Sequence, residues 1–216
     1  MPPHLAAEAG QEPLPQRFFP RDSLHVARDL IGAHLRLGEI LLRITETEAY
    51  RWPDDTACHA RAGRTLRNAP MWGPAGRLYV YRCYGLHWML NVVTGKVDEA
   101  EAVLLRAADP IEGLATLQAN RGRAVTGPEL LAGPGRLAAG LGIDGTWNHH
   151  PVYVRGGLEI LPGAPPPALL SGPRIGIDYA RAEDREAPYR FALAGSRFVT
   201  QRRGLRPLPH APGDAS

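Results

Sequence analysis

Two glutamates two positions apart, Glu46 and Glu48, are the first residues of this chain that suggest chemistry. They lie in the stretch "ITETEAYRWPDDTACHA", residues 44–60, which also contains Tyr50 and His59. A carboxylate can take a proton from water or stabilise a developing positive charge, and aromatic rings beside it can hold a flat or cationic ligand. These residue types therefore fit one wall of a site. They also fit the solvated face of an edge strand, since half-polar strands are common.

The pattern of this stretch is that of a β-strand, in which successive side chains point to opposite faces. It predicts that Ile44, Glu46, Glu48 and Tyr50 share one face. Two rises of ~3.3 Å would place the two carboxylates roughly 6–7 Å apart, which is close to the separation in inverting glycoside hydrolases. Because such spacing arises on many strands, it does not by itself identify a glycosidase.

An aromatic cluster follows in "YVYRCYGLHW", residues 79–88. Tyr79 and Tyr81 share a predicted strand face, where either core packing or a pocket wall would explain them. Tyr84 precedes Gly85 at the predicted tip of a hairpin. A large ring has little to pack against at such a tip, so this position favours an interaction residue.

The loop between these two stretches, "HARAGRTLRNAPMW", carries Arg61, Arg64 and Arg67. It fits an ordinary solvated basic loop. Arginines beside exposed aromatic residues also fit a surface that grips phosphates and stacks bases.

Several other kinds of site are not supported by the sequence. There is no G-x-S-x-G elbow, and Cys58 beside His59 has no spacing typical of a nucleophilic site. No histidine pair has metal-ligand spacing, and no glycine-rich phosphate loop follows a strand. We therefore predict neither a metal nor a cofactor.

The composition is that of one ordinary globular domain, with 216 residues, 44% apolar and 22% charged. The net charge is +3 and the pI about 9.1, and Lys96 is the only lysine. A preference for arginine over lysine is compatible with nucleic-acid binding, and it is equally what a GC-rich genome encodes. With no signal peptide or membrane span, we expect a soluble, cytoplasmic and nucleoid-associated protein.

The predicted elements alternate between strand pairs and short helices, which indicates an α+β fold with a mainly antiparallel, curved sheet and a protruding hairpin. We expect flexible tails over 1–16 and 203–216, and a single domain over 17–202. The predicted strands are a hairpin turning at Gly38-Glu39, two strands joined around Arg82 to Leu86, "AVLLRAA", "VYVRGGLEIL", "PRIGIDY" and "YRFAL". The first predicted helix begins after a cap at Asp22 or Ser23 and ends near Gly32. The second lies in "DPIEGLATLQANRGR", where Asp109 could cap it and Pro110 start it. The segment "GPELLAGPGRLAAGLGI" is predicted to form helical turns interrupted at Gly133-Pro134.

Five segments in this order, "RITETEAYRWPDDTACHA", "RNAPMWGPAGRLYVYRCYGLHWMLNVV", "AVLLRAADPIEG", "GPGRLAAGLGI" and "PRIGIDY", carry a specific signal together. They resemble the alkyladenine (3-methylpurine) DNA glycosylases from about Phe18 to Thr200. The segments "ARAEDREAPYRF" and "AGSRFVT" differ from the usual C-terminal sequence of that family. This difference bears on the contacts made by these segments and not on the catalytic chemistry. His87 and Trp88 vary in the family, so lesion range is less defined than reaction class.

The resemblance implies an enzyme that flips alkylated or deaminated purines out of duplex DNA and hydrolyses the N-glycosidic bond. Its substrates would include 3-methyladenine, 7-methylguanine, hypoxanthine and ethenoadenine. The matching positions assign catalysis to Glu48 and Arg106, the base pocket to Tyr50, His59, Tyr81 and Asn91, intercalation to Tyr84, and DNA contact to Met71 and Arg136. We also place Arg64, Arg67 and Tyr79 at the DNA interface, and Glu46 receives no catalytic role.

The single lysine bears on the reaction type. A glycosylase that also cleaves the strand commonly uses an amine, and Lys96 lies outside the shared motifs. We therefore expect a monofunctional, monomeric enzyme acting on double-stranded DNA. Two alternatives remain: a non-catalytic DNA-damage-binding protein that uses Tyr84 as a wedge, and a nucleoside or RNA N-glycoside hydrolase.

Overall fold

The computed structural model describes residues 11–208. Within this range, the parts expected to be flexible tails make backbone hydrogen bonds with the domain. The Leu14 N–H donates to the Ile160 carbonyl over 2.7 Å, and residues 206–207 form a short strand. The remaining tail residues, 1–10 and 209–216, lie outside the described part of the chain.

A nine-stranded sheet forms the centre of the fold over residues 11–208. Its strands are β1 (His34–Leu37), β2 (Ile40–Tyr50), β3 (Leu78–Cys83), β4 (His87–Thr94), β5 (Glu101–Glu112), β6 (Glu159–Leu161), β7 (Leu169–Gly172), β8 (Arg190–Leu193) and β9 (Arg206–Pro207). The order is β3-β4-β5-β2-β8-β7-β9, with β1 pairing both β2 and β6. All these strand pairings are antiparallel.

Four α-helices accompany the sheet in the described residues: α1 (Ser23–Asp29), α2 (Leu114–Arg121), α3 (Pro134–Gly140) and α4 (Ala182–Glu186). Short 3-10 helices lie at Gln16–Phe18, Ala69–Trp72 and Gly145–Trp147. The α+β fold with a mainly antiparallel sheet is confirmed.

The main hydrophobic core explains why β2 lies in the middle of the sheet. Leu42 and Ile44 of β2 are fully buried in one cluster with Val26 and Leu30, which flank the sheet from α1 and its end. Asp22 caps that helix, because its side chain accepts a hydrogen bond from the Leu24 N–H over 2.8 Å. β2 is therefore a central strand, and the solvated edge-strand explanation of its glutamates is wrong.

Strand β5 differs from its prediction because it continues to Glu112 instead of ending before a helix. Asp109 is paired with Arg43 of β2 in the sheet, and their side chains form an ion pair of 2.7 Å. Pro110 has no backbone N–H to donate to a neighbouring strand. It lies at a register shift between β2 and β5, where the regular hydrogen-bond pattern is already broken. The next helix begins only at Leu114, after Gly113.

Other boundaries also differ. Pro134 starts α3 rather than interrupting a helix, as suits a residue without a backbone N–H. "VYVRGGLEIL" forms turns before the short β6, and "PRIGIDY" contains no strand. Strands β7 and β9 and helix α4 were not predicted.

Candidate active site

The site begins at an irregularity between β2 and β5. Glu46 is paired with Ala107 and Thr47 with Leu105, so Arg106 has no direct partner on β2 and forms a bulge. A bulge redirects a side chain and is common beside active sites. Here it directs the Arg106 guanidinium towards both glutamates of β2.

The carboxylate of Glu48 is fully buried and is held by three donors. The Tyr50 hydroxyl donates to its Oε2 over 2.8 Å, and the Ile175 N–H donates to its Oε1 over 2.8 Å. Arg106 Nη1 lies 3.2 Å from the same Oε1. A carboxylate offers about four lone-pair positions, so Oε2 can accept one further hydrogen bond.

Glu46 has a different environment, although Arg106 Nε lies 3.4 Å from its Oε1. Arg190 Nη1 donates to that oxygen over 3.0 Å. The backbone N–H and the hydroxyl of Thr200 both donate to Oε2, each over 2.8 Å. Glu46 therefore joins β2, β8 and the segment after β8, while Glu48 lies next to the aromatic residues.

Arg106 carries the positive charge between these carboxylates, and its side chain is 7% exposed. Burial acts to lower its pKa, but the neighbouring Glu48 and Glu46 carboxylates raise it overall. The guanidinium is therefore charged at any accessible pH. Arg106 lines a cleft of about 680 Å³. Glu48 is not a lining residue, but its other two partners, Tyr50 and Ile175, line the same cleft.

Aromatic rings form the walls of this cleft. The rings of His59 and Tyr81 lie edge to face with centroids 4.3 Å apart, and Tyr50 lines the same cleft. The His59 Nδ1 is within 3.0 Å of the Tyr79 hydroxyl. Burial and the charge of Glu48 raise the pKa of Tyr50 well above its usual value, so its hydroxyl keeps the proton that it donates to Glu48.

His59 is uncharged near neutral pH. Burial, together with the charges of Arg67 and Arg61, lowers its pKa from 6.5 to about 4. A cationic ligand would therefore meet a neutral ring rather than a second positive charge.

Asn91, Met71 and Tyr79 line a small pocket together with these rings. Asn91 Nδ2 donates to the Tyr79 carbonyl over 3.0 Å and to the Met89 carbonyl over 3.3 Å, which fixes its amide. Met71 and Tyr79 are only 2% and 1% exposed. Both side chains contribute to the pocket wall, and their contact with DNA stays a prediction.

The exposed surface around the cleft carries the other predicted residues. Tyr84 is 90% exposed at the tip between β3 and β4, with φ values of 49° for Tyr84 and 68° for Gly85. The Leu86 N–H donates to the Cys83 carbonyl over 3.0 Å and closes this turn. Two successive positive φ angles are typical of tight hairpin turns, and they point a bulky ring outward here.

The predicted arginines do not all lie at the cleft. Arg67 lines it, and its Nη2 donates to the Arg82 carbonyl over 2.8 Å. Arg64 is exposed and lies 3.7 Å from Asp98. Arg136 is exposed on α3 and donates to the Ala132 carbonyl over 3.2 Å. The structure thus brings Arg67 to the cleft, whereas Arg64 and Arg136 lie outside its lining.

Comparison with known proteins shows the family of the chain. A sequence model of the methylpurine-DNA glycosylase family matches residues 17–197. The chain belongs to the methylpurine-DNA glycosylase family. It is accordingly a DNA-repair glycosylase, a hydrolase that acts on N-glycosyl bonds.

Individual relatives cover nearly the whole glycosylase. It is 55% identical over 194 residues to a Nitrosococcus oceani protein named "Putative 3-methyladenine DNA glycosylase", covering 90% of this chain and 96% of the relative. It is 45% identical over 204 residues to the "DNA-3-methyladenine glycosylase" of Arabidopsis thaliana, covering 94% and 80%. The range matched by the family model, 17–197, includes every residue that lines the cleft.

A buried arginine that the sequence did not point to supports the glycosylase site from behind. Arg174 donates to both oxygens of Asp55, over 2.5 and 2.8 Å, and to the Ala49 carbonyl over 2.9 Å. Its guanidinium lies 4.8 Å from the Tyr50 ring centre and 5.1 Å from that of Tyr189. Arg174 therefore holds together the end of β2 and the loop that leads to His59.

Two further observations concern the described residues as a whole. No group of three or more His, Cys, Asp or Glu side chains there is placed to hold a metal ion. None of the helices there is both long and apolar enough to cross a membrane.

Proposed function

We propose that this glycosylase removes alkylated and deaminated purines from duplex DNA by hydrolysis, using Glu48 to activate water. The observation that supports this most strongly is the buried Glu48 carboxylate, held by Arg106, Tyr50 and the Ile175 N–H beside an aromatic cleft. The proposed substrates are 3-methyladenine, 7-methylguanine, hypoxanthine and ethenoadenine.

Base flipping is needed because the anomeric carbon is inaccessible within the stacked duplex. Tyr84 is suited to fill the gap that the flipped nucleotide leaves, since it is a large, exposed ring at a hairpin tip. The neighbouring Leu86 is 72% exposed and would add apolar surface against the bases. Insertion of such side chains offsets part of the unstacking cost.

The aromatic walls would then hold the flipped base. Purines alkylated at N3 or N7 carry a positive charge, so stacking against Tyr50 and Tyr81 gains cation–π attraction. The neutral state of His59 avoids repulsion with that charge. Asn91 forms a fixed wall, and we propose that it excludes the exocyclic amine of normal guanine by steric clash.

Hydrolysis would proceed with the water held at the free position of Glu48 Oε2. The water oxygen attacks the anomeric carbon, its proton passes to Glu48, and the electron pair of the glycosidic bond leaves with the purine. Positive charge that develops on the sugar is stabilised by the carboxylate. Arg106 keeps that carboxylate in place through Oε1.

We propose that the product is an intact strand with an abasic site. Lys96 has an 80% exposed side chain, lies 3.9 Å from Glu99, and is not part of the cleft lining. No lysine amine is therefore available for Schiff-base chemistry at the sugar. Because one chain supplies all the groups of the site, we also propose that the enzyme acts as a monomer.

The test is a panel of duplexes, each with one of the four lesions, incubated with excess enzyme and then treated with alkali. We expect strand scission only after alkali, for at least one lesion. Lesion binding without base release would instead support a damage-binding protein. Release from free nucleosides but not from duplex would support a nucleoside hydrolase, and scission without alkali would contradict a monofunctional enzyme.

A further inference from the structure

A second cleft has a polar floor formed by three residues in one row across the sheet. His34 of β1 is paired with Arg43 of β2, and Arg43 is paired with Asp109 of β5. Directly opposed residues of antiparallel strands project from the same face. The three side chains therefore lie side by side, and all three line a cleft of about 600 Å³.

Two buried nitrogen atoms in this row have no hydrogen-bond partner within the described residues. They are His34 Nδ1 and Arg43 Nε. His34 is only 6% exposed, whereas Arg43 uses its Nη2 to donate to Asp109 over 2.7 Å. Buried polar atoms are normally paired, so two unpaired ones on one cavity floor indicate a place for an acceptor from a ligand.

The walls of this cleft are mostly apolar. They are formed by Ile111 and Leu193, by the proline-rich residues 164–167, and by the turn at residues 194–196. A volume of this size and a mixture of apolar walls with few polar groups are typical of small-molecule sites. The cleft is thus suited to a compact organic group attached to one polar head.

This cleft is separate from the glycosylase cleft. The two share no lining residue. Arg43 and Glu48 are five positions apart on β2, which corresponds to roughly 17 Å along a strand. A ligand on the floor beside Arg43 would therefore not occupy the site of base excision.

The charges of the floor favour a negatively charged ligand. Burial, together with the charges of Arg43 and Arg36, lowers the pKa of His34. Both arginines therefore contribute positive potential at the His34 ring, while Asp109 pairs with Arg43 over 2.7 Å. An oxyanion accepts readily from the Nε–H of an arginine and from an imidazole N–H.

We propose that this cleft binds a small organic anion whose carboxylate or phosphate group contacts His34 Nδ1 and Arg43 Nε. Such binding is distinct from the proposed excision reaction and does not depend on it. The recessed floor excludes the backbone phosphates of a duplex, because His34 is almost completely buried.

The test observes the imidazole nitrogens of the ¹⁵N-labelled full-length protein while sodium phosphate or sodium acetate is added at constant ionic strength. A His34→Asn variant assigns the His34 signals. We expect these signals to shift saturably, and Arg43→Gln to weaken the response at least about tenfold. If the His34 signals respond to both salts, the cleft binds carboxylate and phosphate groups alike. If they respond to only one salt, that salt identifies the head group of the ligand.

The matched control is Arg28→Gln, which removes an arginine of similar side-chain exposure, 41% against 43%. It should leave the His34 response unchanged. If Arg43→Gln does not fold, Arg43→Lys keeps the charge but lacks Nε and should show the same loss. A shift that does not saturate, an undiminished response in the Arg43 variant, or an equal response to an undamaged duplex would overturn the proposal.

Discussion

Replacing Asp55 by asparagine should both destabilise the protein and slow excision, although Asp55 is not in the cleft lining. Asp55 accepts two hydrogen bonds from Arg174, whose side chain is 0% exposed. It also accepts from the Ala57 N–H over 2.9 Å and the Arg51 N–H over 3.2 Å. The variant keeps the shape of the side chain but leaves a buried guanidinium without its counter-charge.

The expected loss follows from the burial of this pair. Breaking a buried ion pair by removing one partner costs about 3–5 kcal/mol. The loop that carries His59 would also lose its anchor to Arg174, and a displacement near 1 Å in an active site can cost roughly 10²-fold in rate. Arg174 is therefore interpreted as a positioning residue for Tyr50 and His59.

Urea unfolding and single-turnover excision measure the two effects. Asp98→Asn is the matched control, because Asp98 has a 74% exposed side chain, 3.7 Å from Arg64, and should change stability by less than about 1 kcal/mol. The double variant Asp55→Leu/Arg174→Met should regain the part of the stability that the unpaired charge removes. It should not regain the part that comes from the lost hydrogen bonds to the Ala57 and Arg51 N–H groups. It should not regain the excision rate. A loss below about 1 kcal/mol in Asp55→Asn, or recovery of both properties in the double variant, would refute the reasoning.

Three further predictions concern the pocket and the DNA surface. His59 has a pKa lowered from 6.5 to about 4. As pH falls from 6.5 towards 4, the unfolded protein therefore binds a proton that the folded protein does not, and up to about 3 kcal/mol of stability should be lost. His59→Gln should remove this loss, measured by urea unfolding at several pH values, and parallel pH curves for the variant and the wild type would contradict it. Tyr84→Ala should slow single-turnover excision and shorten retention of the flipped state, whereas Leu114→Ala, an exposed apolar control, should change neither. Arg67→Gln should lower the slope of log affinity against log salt by about 0.9 if Arg67 contacts one phosphate, and an unchanged slope would exclude that contact.

The residues of the site that are close together in the chain could be predicted from the sequence. Glu48 and Tyr50 share a strand and are joined by a hydrogen bond, as their alternation indicates. The hairpin between β3 and β4 places Tyr84 at its tip, because Gly85 suits the turn. Such features depend on local backbone geometry, which residue types report directly.

The partners that are distant in the chain could not be predicted in the same way. Glu46 is buried because Arg190, 144 positions later, supplies its counter-charge. Asp55 similarly meets Arg174 across 119 positions. Asp109 looked like a helix cap, but its pairing with Arg43 keeps it in a strand. These outcomes depend on which strands become neighbours, and neither periodicity nor propensity specifies that.

The most direct test of the proposed chemistry is single-turnover excision by Glu48→Gln on a duplex containing hypoxanthine, with Glu99→Gln as an exposed control. The proposal predicts that Glu48→Gln lowers the rate of base release by about 10²- to 10⁴-fold. Binding of the lesion duplex should be retained. The control should release the base at the wild-type rate. Base release by Glu48→Gln at the wild-type rate would contradict the assignment of Glu48 as the group that activates water.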